Sequence, residues 1–221
     1  MSTFRRLHFT AATAIVLCAT AIPAHSADTG LYATALFGLA NQSDQELTFS
    51  GAGASQRRDV SLDNGGLAGG ALGWQFANGW RLEGEFAYQS VDSGNPGFAT
   101  PGPQGEGNYA STSVAVNALY EFDLFGSPRV RTYVGAGLVR LTEVDIDFEA
   151  GGTERSFSGS DNGVQLLFGA RYAWGERAFV DAGVRWLRAS SLTLDGEGTT
   201  AGTISGDYEP WAVTVGVGWR F

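Results

Sequence analysis

The chain has 221 residues and a formal net charge of −9, with 14 basic against 23 acidic side chains. That balance argues against nucleic acid as a partner. His8, His25, Cys18 and Met1 are the only residues of their kinds, all lie at or before His25, and Lys is absent throughout. The rest of the chain therefore lacks an imidazole base, a thiol and an amine nucleophile, so neither a cofactor nor a metal site is expected and the chain reads as a non-enzyme.

At the N-terminus, Arg5 and Arg6 precede an apolar run from Ala11 to Ile22 and a zone of small residues from Pro23 to Ala27. This order reads as a secretory signal peptide over 1–26, cleaved after Ser26 or Ala27, because the apolar run is too short to span a membrane as a helix. Leu17 beside Cys18 puts a bulky residue where a lipoprotein site needs a small one. Loss of Arg5 and Arg6 would take the charge from −9 to −11. Residues 27–221 are read as a single domain.

Eight strands are predicted in that domain, near 30–40, 66–77, 80–90, 109–122, 129–142, 163–174, 177–188 and 209–221. Asn78-Gly79 is the dipeptide preferred in a two-residue hairpin turn, and 123–128 and 175–176 are the other short connections. Four long connections, near 41–65, 91–108, 143–162 and 189–208, alternate with them. Short turns at one end and long loops at the other are the arrangement of an outer-membrane barrel, and an even number of strands closes without an edge. The fold expected is all-β: an eight-stranded antiparallel transmembrane β-barrel with short periplasmic turns and four long extracellular loops.

Side-chain parity supports this. In the last strand Trp211, Val213, Val215, Val217, Trp219 and Phe221 share one face, while Ala212, Thr214, Gly216, Gly218 and Arg220 share the other. Period two over about 9–11 residues, apolar outward with aromatics at both ends, suits a bilayer-crossing strand; an edge strand of a soluble sandwich is the alternative. Outward aromatics expected at the two membrane interfaces are Trp80, Tyr120, Tyr172, Trp174, Trp186, Trp211, Trp219 and Phe221. The inward set holds Arg81, Arg131, Arg171, Arg185 and Arg220 against Glu83, Glu85, Glu121 and Asp181. A narrow barrel is filled by its side chains, and desolvated charges need partners. A plugged, charge-paired lumen is therefore expected, with inward glycines either making room for the arginines or relieving curvature.

LAGGALGWQFANGWRLEGEFAYQS, VRTYVGAGL and the terminal VGVGWRF resemble the small outer-membrane barrels of the opacity-protein and OmpA/OmpX-like group, over nearly all of 27–221. The resemblance implies an outer-membrane location after export, a monomer held by lipid, and Phe221 as the terminal aromatic read by the barrel-assembly machinery. It implies no activity, since the group spans adhesins, minor porins and proteins of other roles.

Two functions follow as expectations. In the first, the barrel is non-catalytic and acts at the cell surface through acidic loops, in adhesion or envelope integrity, with an extracellular protein as partner. Glu143, Asp145, Asp147 and Glu149 carry that acidity, and the strand pattern running past Leu141 through Val144, Ile146 and Phe148 suggests a hairpin projecting beyond the membrane. Hydration of the surface alone is the simpler reading of the acids. In the second, the same four carboxylates ring the mouth of a narrow cation-favouring channel. Arg140 and Arg188, each ten residues from a short-turn end and on the outward parity, would stand at the outer headgroup level. There they would either bind lipopolysaccharide phosphates or simply snorkel.

Overall fold

A computed structural model describes residues 29–42, 45–51, 54–60, 62–94, 106–150 and 153–221. The predicted signal peptide lies outside them. Eleven strands are described: β1 Gly30–Gln42, β2 Gln45–Gly51, β3 Ala54–Val60, β4 Leu62–Gln75, β5 Trp80–Gly94, β6 Glu106–Phe122, β7 Val130–Ala150, β8 Thr153–Trp174, β9 Ala178–Gly196, β10 Thr203–Tyr208 and β11 Pro210–Arg220. All their pairings are antiparallel.

Successive pairings run from β11 through β1, β4, β5, β6, β7, β8 and β9. The circuit then returns, because β9 pairs with β11 from Trp211↔Trp186 to Trp219↔Ala178. The ring closes and its backbone groups find partners without an open edge. β10, β2 and β3 stand outside the circuit, added in that order to the outer part of β9. The long loops expected at 41–65 and 189–208 are corrected: much of each is sheet, and the described strands number eleven because β2, β3 and β10 lie there. Burial explains why. Leu47, Leu192, Leu194 and Ile204 are each at most 6% exposed, so these segments carry an apolar face of their own.

The strands also overrun their predicted ends. β7 and β8 continue as a hairpin to Ala150↔Thr153. The first short turn differs from expectation. Gly79 N donates to the Phe76 carbonyl (3.2 Å), Phe76 N donates to the Trp80 carbonyl (2.8 Å), and Gly79 has φ +85°. Ala77 and Asn78 are therefore the central residues, and Gly79 supplies the left-handed position that closes a three-residue loop.

Parity is as read from the sequence. Along β11, residues 211, 213, 215, 217 and 219 are exposed and 210, 212, 214, 216 and 218 are buried. Large apolar side chains cover the outside, among them Leu39 and Leu138 at 73% exposure, while charged residues fill the inside. A water-facing protein would reverse this.

Candidate functional site

The interior has two storeys. Nearer the short turns lies a charged network. Arg81 sits between Glu83 (Nη1–Oε1 3.6 Å) and Glu121 (Nε–Oε1 3.4 Å). Arg171 reaches Glu83 and Glu121, each at 3.8 Å, and Asp181 at 3.4 Å. Arg185 holds Glu85 through two contacts, Nη1–Oε1 at 2.5 Å and Nη2–Oε2 at 2.9 Å. All seven side chains are buried. Pairing of this kind is what makes a desolvated charge tolerable, and the guanidinium fork suits it.

Two residues expected in this network lie at its short-turn end. Arg131 contacts Asp123 at 3.7 Å near the short-turn end, with both side chains partly exposed. Arg220 lies over the Phe179 ring at 5.5 Å. Both occupy the last residues of their strands on that side, where the interior opens.

Polar and aromatic partners that charge alone did not reveal complete the network. The Tyr32 hydroxyl donates to Glu83, and the Tyr133 hydroxyl donates to Asp181 at 2.7 Å. Gln75 Nε2 donates to Glu121 at 2.6 Å, Asn117 Nδ2 to Glu85 at 3.2 Å, and Gln165 Nε2 to Asn117 at 2.6 Å. The guanidinium of Arg171 lies 3.8 Å from the Phe179 ring centroid and 4.5 Å from that of Tyr32, and Arg81 lies 4.6 Å from that of Tyr133. Such contacts strengthen when desolvated.

The glycines beside them make room for rings rather than directly for arginines. A Cβ at Gly73 would strike Tyr32, one at Gly218 would strike Phe179, and one at Gly169 or Gly183 would strike Tyr133. The signal was present in the sequence, since inward parity points Tyr32, Tyr133 and Phe179 into the ring. The cavity left among these groups is about 20 Å³, room for roughly one water molecule.

Toward the long connections the interior is apolar. Leu141, Val144, Phe157 and Ala189 are fully buried in one cluster with Leu47, Val91, Leu194 and Ile204. Phe49 meets Phe157 edge to face at 5.9 Å, and Tyr109 meets Tyr208 at 5.5 Å. The Tyr208 and Ser111 hydroxyls are 2.7 Å apart, so the buried phenol is satisfied.

A bulge in β7 controls what stands above this core. The register shifts between Leu141 and Val144, and both of those residues point inward. Two residues, Thr142 and Glu143, intervene where the pleat allows one. Val144 and Ile146 are thereby buried, and Glu143, Asp145 and Asp147 turn to the outer face. The mouth ring expected of these acids does not form, because the bulge inverts their parity. The side chain of Glu149 lies outside the described residues. Burial first, then the carboxylates of Glu143, Asp147 and Glu197, hold the Asp145 carboxyl above its ordinary value.

On the outer surface, Arg140 donates to Ser160 Oγ at 2.8 Å and Asn162 Oδ1 at 3.3 Å. Arg188 pairs with Glu209 at 2.9 Å. Their β8 partners are Asn162 and Val164, two residues apart, so both arginines stand at nearly one level. Trp80, Tyr172, Trp174, Trp211, Trp219 and Phe221 are exposed. Tyr120 is half-buried against Trp80 at 5.3 Å, and Trp186 is half-buried and paired in register with Trp211.

Comparison with known proteins agrees with this geometry. The outer membrane protein OprG from Pseudomonas aeruginosa is similar at 18% identity over 89% of this chain and 97% of that one, with a TM-score of 0.61. The outer membrane protein AlkL is similar at 18% identity over 90% of this chain and 95% of that one, TM-score 0.52. Neisserial surface protein A is similar at 20% identity over 87% and 97%, TM-score 0.51. No curated protein matches the chain in sequence. The family model for the outer membrane protein beta-barrel domain matches residues 9–221. A closed antiparallel ring, apolar outside and charged within, is the form that such a domain takes, and the chain belongs to the outer-membrane β-barrel family.

Proposed function

We propose that this chain is an eight-strand transmembrane barrel with a sealed interior, acting without catalysis at the cell surface through the sheet that rises above it. Residues 1–26 serve as its export signal. The exposed apolar belt faces lipid, bounded by Trp80, Tyr120, Tyr172, Trp174, Trp219 and Phe221 on the periplasmic side and by Trp186 and Trp211 on the outer side. Eight residues separate Trp211 from Trp219, which at about 3.3 Å each and a tilt of about 40° places them roughly 20 Å apart across the membrane.

The observation that carries the reading is the filled interior: a charged storey with a cavity of about 20 Å³ beneath a largely apolar storey. Ions cross either a water-filled lumen or a constriction whose polar groups replace their hydration shell, and this interior provides neither a wide lumen nor a polar path through its apolar cluster. What remains for function is the outer sheet formed by the β7–β8 hairpin, β9, β10, β2 and β3, with its strip of Glu143, Asp145 and Asp147. Adhesion to a partner or support of the envelope fits that exposed, acidic, strand-built surface.

The test has two arms. Recording from planar bilayers with refolded protein is expected to give no discrete conductance steps, and steps selective for cations would establish the channel instead. Replacing residues 144–158 by a short turn should abolish cell-surface binding while the protein remains heat-modifiable on gels. Unchanged binding by that variant would remove the surface role of the hairpin.

A further inference from the structure

Three short connections join the described strands at one end of the ring, and they differ in chemistry. Two carry small, polar or charged residues at their tips: Ala77 and Asn78 are exposed after β4, and Glu176 and Arg177 after β8. The third, between β6 and β7, presents Leu124 at 60% and Phe125 at 65% exposure. No charge falls between Leu124 and Pro128. Large apolar side chains displayed together at a turn mark a surface that something else covers.

The turn holds that pair in place. Gly126 takes the left-handed position at φ +63°, and its amide donates to Asp123 Oδ1 at 2.7 Å, an arrangement that Asp and Gly favour in turns. The Arg129 amide donates to Ser127 Oγ at 3.3 Å, and the Ala173 amide donates to the Arg129 carbonyl at 2.8 Å, which fixes the turn to β8. Arg131 draws Asp123 toward the interior at 3.7 Å. The one carboxylate of the turn is thereby directed away from lipid, and Leu124 beside it continues the outward row of Val116, Tyr120 and Phe122.

Depth identifies the cover. Tyr120 packs against Trp80 at 5.3 Å, in the aromatic band that bounds the apolar belt. Leu124 lies four residues farther on, which at about 3.3 Å each and a tilt of about 40° is a descent of roughly 10 Å. The headgroup layer of one leaflet, and the depth to which apolar side chains enter it, are of that order. An uncharged patch continuous with the lipid-facing belt, at headgroup depth, fits the membrane surface rather than a soluble partner.

We infer that Leu124 and Phe125 insert into the headgroup–acyl boundary of the periplasmic leaflet and moor the foot of β7 there. The inference rests on the membrane reading above. β7 is the strand whose other end forms the hairpin to Ala150, so the mooring and the hairpin share one strand.

The test places a nitroxide at Ser127→Cys in the refolded full chain carrying Cys18→Ser, since Cys18 is the one native cysteine. Phosphatidylcholine vesicles hold the protein, and collision rates with oxygen and with a water-soluble nickel chelate report depth. Reference labels stand at Val215→Cys, midway along the belt, and at Asn78→Cys, on a polar turn at the same end. The Ser127 label is expected to meet the nickel chelate several-fold less often than the Asn78 label does. Leu124→Ser/Phe125→Ser should raise its collision rate to that of the Asn78 label while the Val215 label stays shielded. Both side chains are exposed, so the ring does not depend on them for packing; should the pair of changes prevent folding, Phe125→Ser alone carries the comparison. With Val215 shielded, a Ser127 label as open to nickel as the Asn78 label, or unmoved by the serine substitutions, would overturn the inference and leave the membrane reading intact. A Val215 label open to nickel would remove the membrane reading, and the inference with it. Dipolar broadening between Ser127 labels on separate molecules would put a second copy of the chain on the turn in place of lipid, and would overturn the inference too.

Discussion

Arg185 and Glu85, 100 residues apart in sequence, meet inside the ring through two parallel contacts of 2.5 and 2.9 Å. Glu85 also accepts from Asn117, which in turn accepts from Gln165. Four strands are thereby tied across the interior at one level. Removing either charge leaves the other buried and unpaired, which costs about 3–5 kcal/mol. Glu85→Ala and Arg185→Ala should each lower the urea midpoint of unfolding in lipid vesicles. The double variant Glu85→Ala/Arg185→Ala should lose less than the sum of the two, because no orphan charge remains. Two single variants that unfold like wild type would mean that water solvates this level.

The acidic strip on β7 makes the hairpin sensitive to pH. The Asp145 carboxyl is raised above its unfolded value in the folded protein, so the folded state holds its proton to higher pH than the unfolded state does. Below the ordinary carboxylate value both states are protonated and nothing is lost. As pH rises through the raised value, the folded hairpin must ionise a crowded group and is destabilised relative to its open form. Opening free energies from amide exchange in residues 144–157, corrected for intrinsic rates, should therefore be smaller at neutral pH than in mild acid. Asp145→Asn should remove most of that difference. An equal pH dependence in wild type and variant would show that Asp145 is not its source.

Val215 is 53% exposed at the middle of β11, on the apolar outer face. A charge there would face hydrocarbon, at a cost of up to a few kcal/mol for a carboxylate near the midplane. Val215→Asp should reduce assembly into the outer membrane, and so should deletion of Phe221 if the assembly machinery reads that aromatic. Thr214→Asp, pointing inward, would test the opposite face. Heat-modifiable Val215→Asp protein that fractionates with the outer membrane and resists urea would refute the lipid-facing assignment.

Arg140 and Arg188 differ in what holds them. Arg140 is held by neutral oxygens of Ser160 and Asn162, and Arg188 by the Glu209 carboxylate. A partly exposed ion pair contributes only about 0–1 kcal/mol, so a lipid phosphate can displace Glu209. If both arginines bind lipopolysaccharide phosphates, Arg140→Ala/Arg188→Ala should lower the thermal midpoint more in lipopolysaccharide than in neutral detergent. Glu209→Gln should raise it in lipopolysaccharide. Equal losses in both media would leave only snorkelling.

Period-two alternation made the strands and their faces readable from the chain alone, because a β-strand turns every second residue the same way whatever it pairs with. Trp211 to Phe221 is the plainest case, and the inward charges of β5, β8 and β9 follow from the same rule. Partnership was not readable in this way. Which guanidinium meets which carboxylate depends on the stagger between strands distant in sequence, so Arg185 meets Glu85 deep in the ring while Arg131 meets Asp123 near the opening. A single extra residue in β7 reversed the faces of Glu143, Asp145 and Asp147, and a bulge leaves no mark on the average period. The sheet of β10, β2 and β3 was hidden for a related reason: each segment is short, and the apolar side chains of β2 and β10 are buried only once β9 extends beyond Arg188 to receive β10. Local alternation is a property of the backbone, legible residue by residue; pairing, register and closure are set by contacts that exist only when the whole ring has formed.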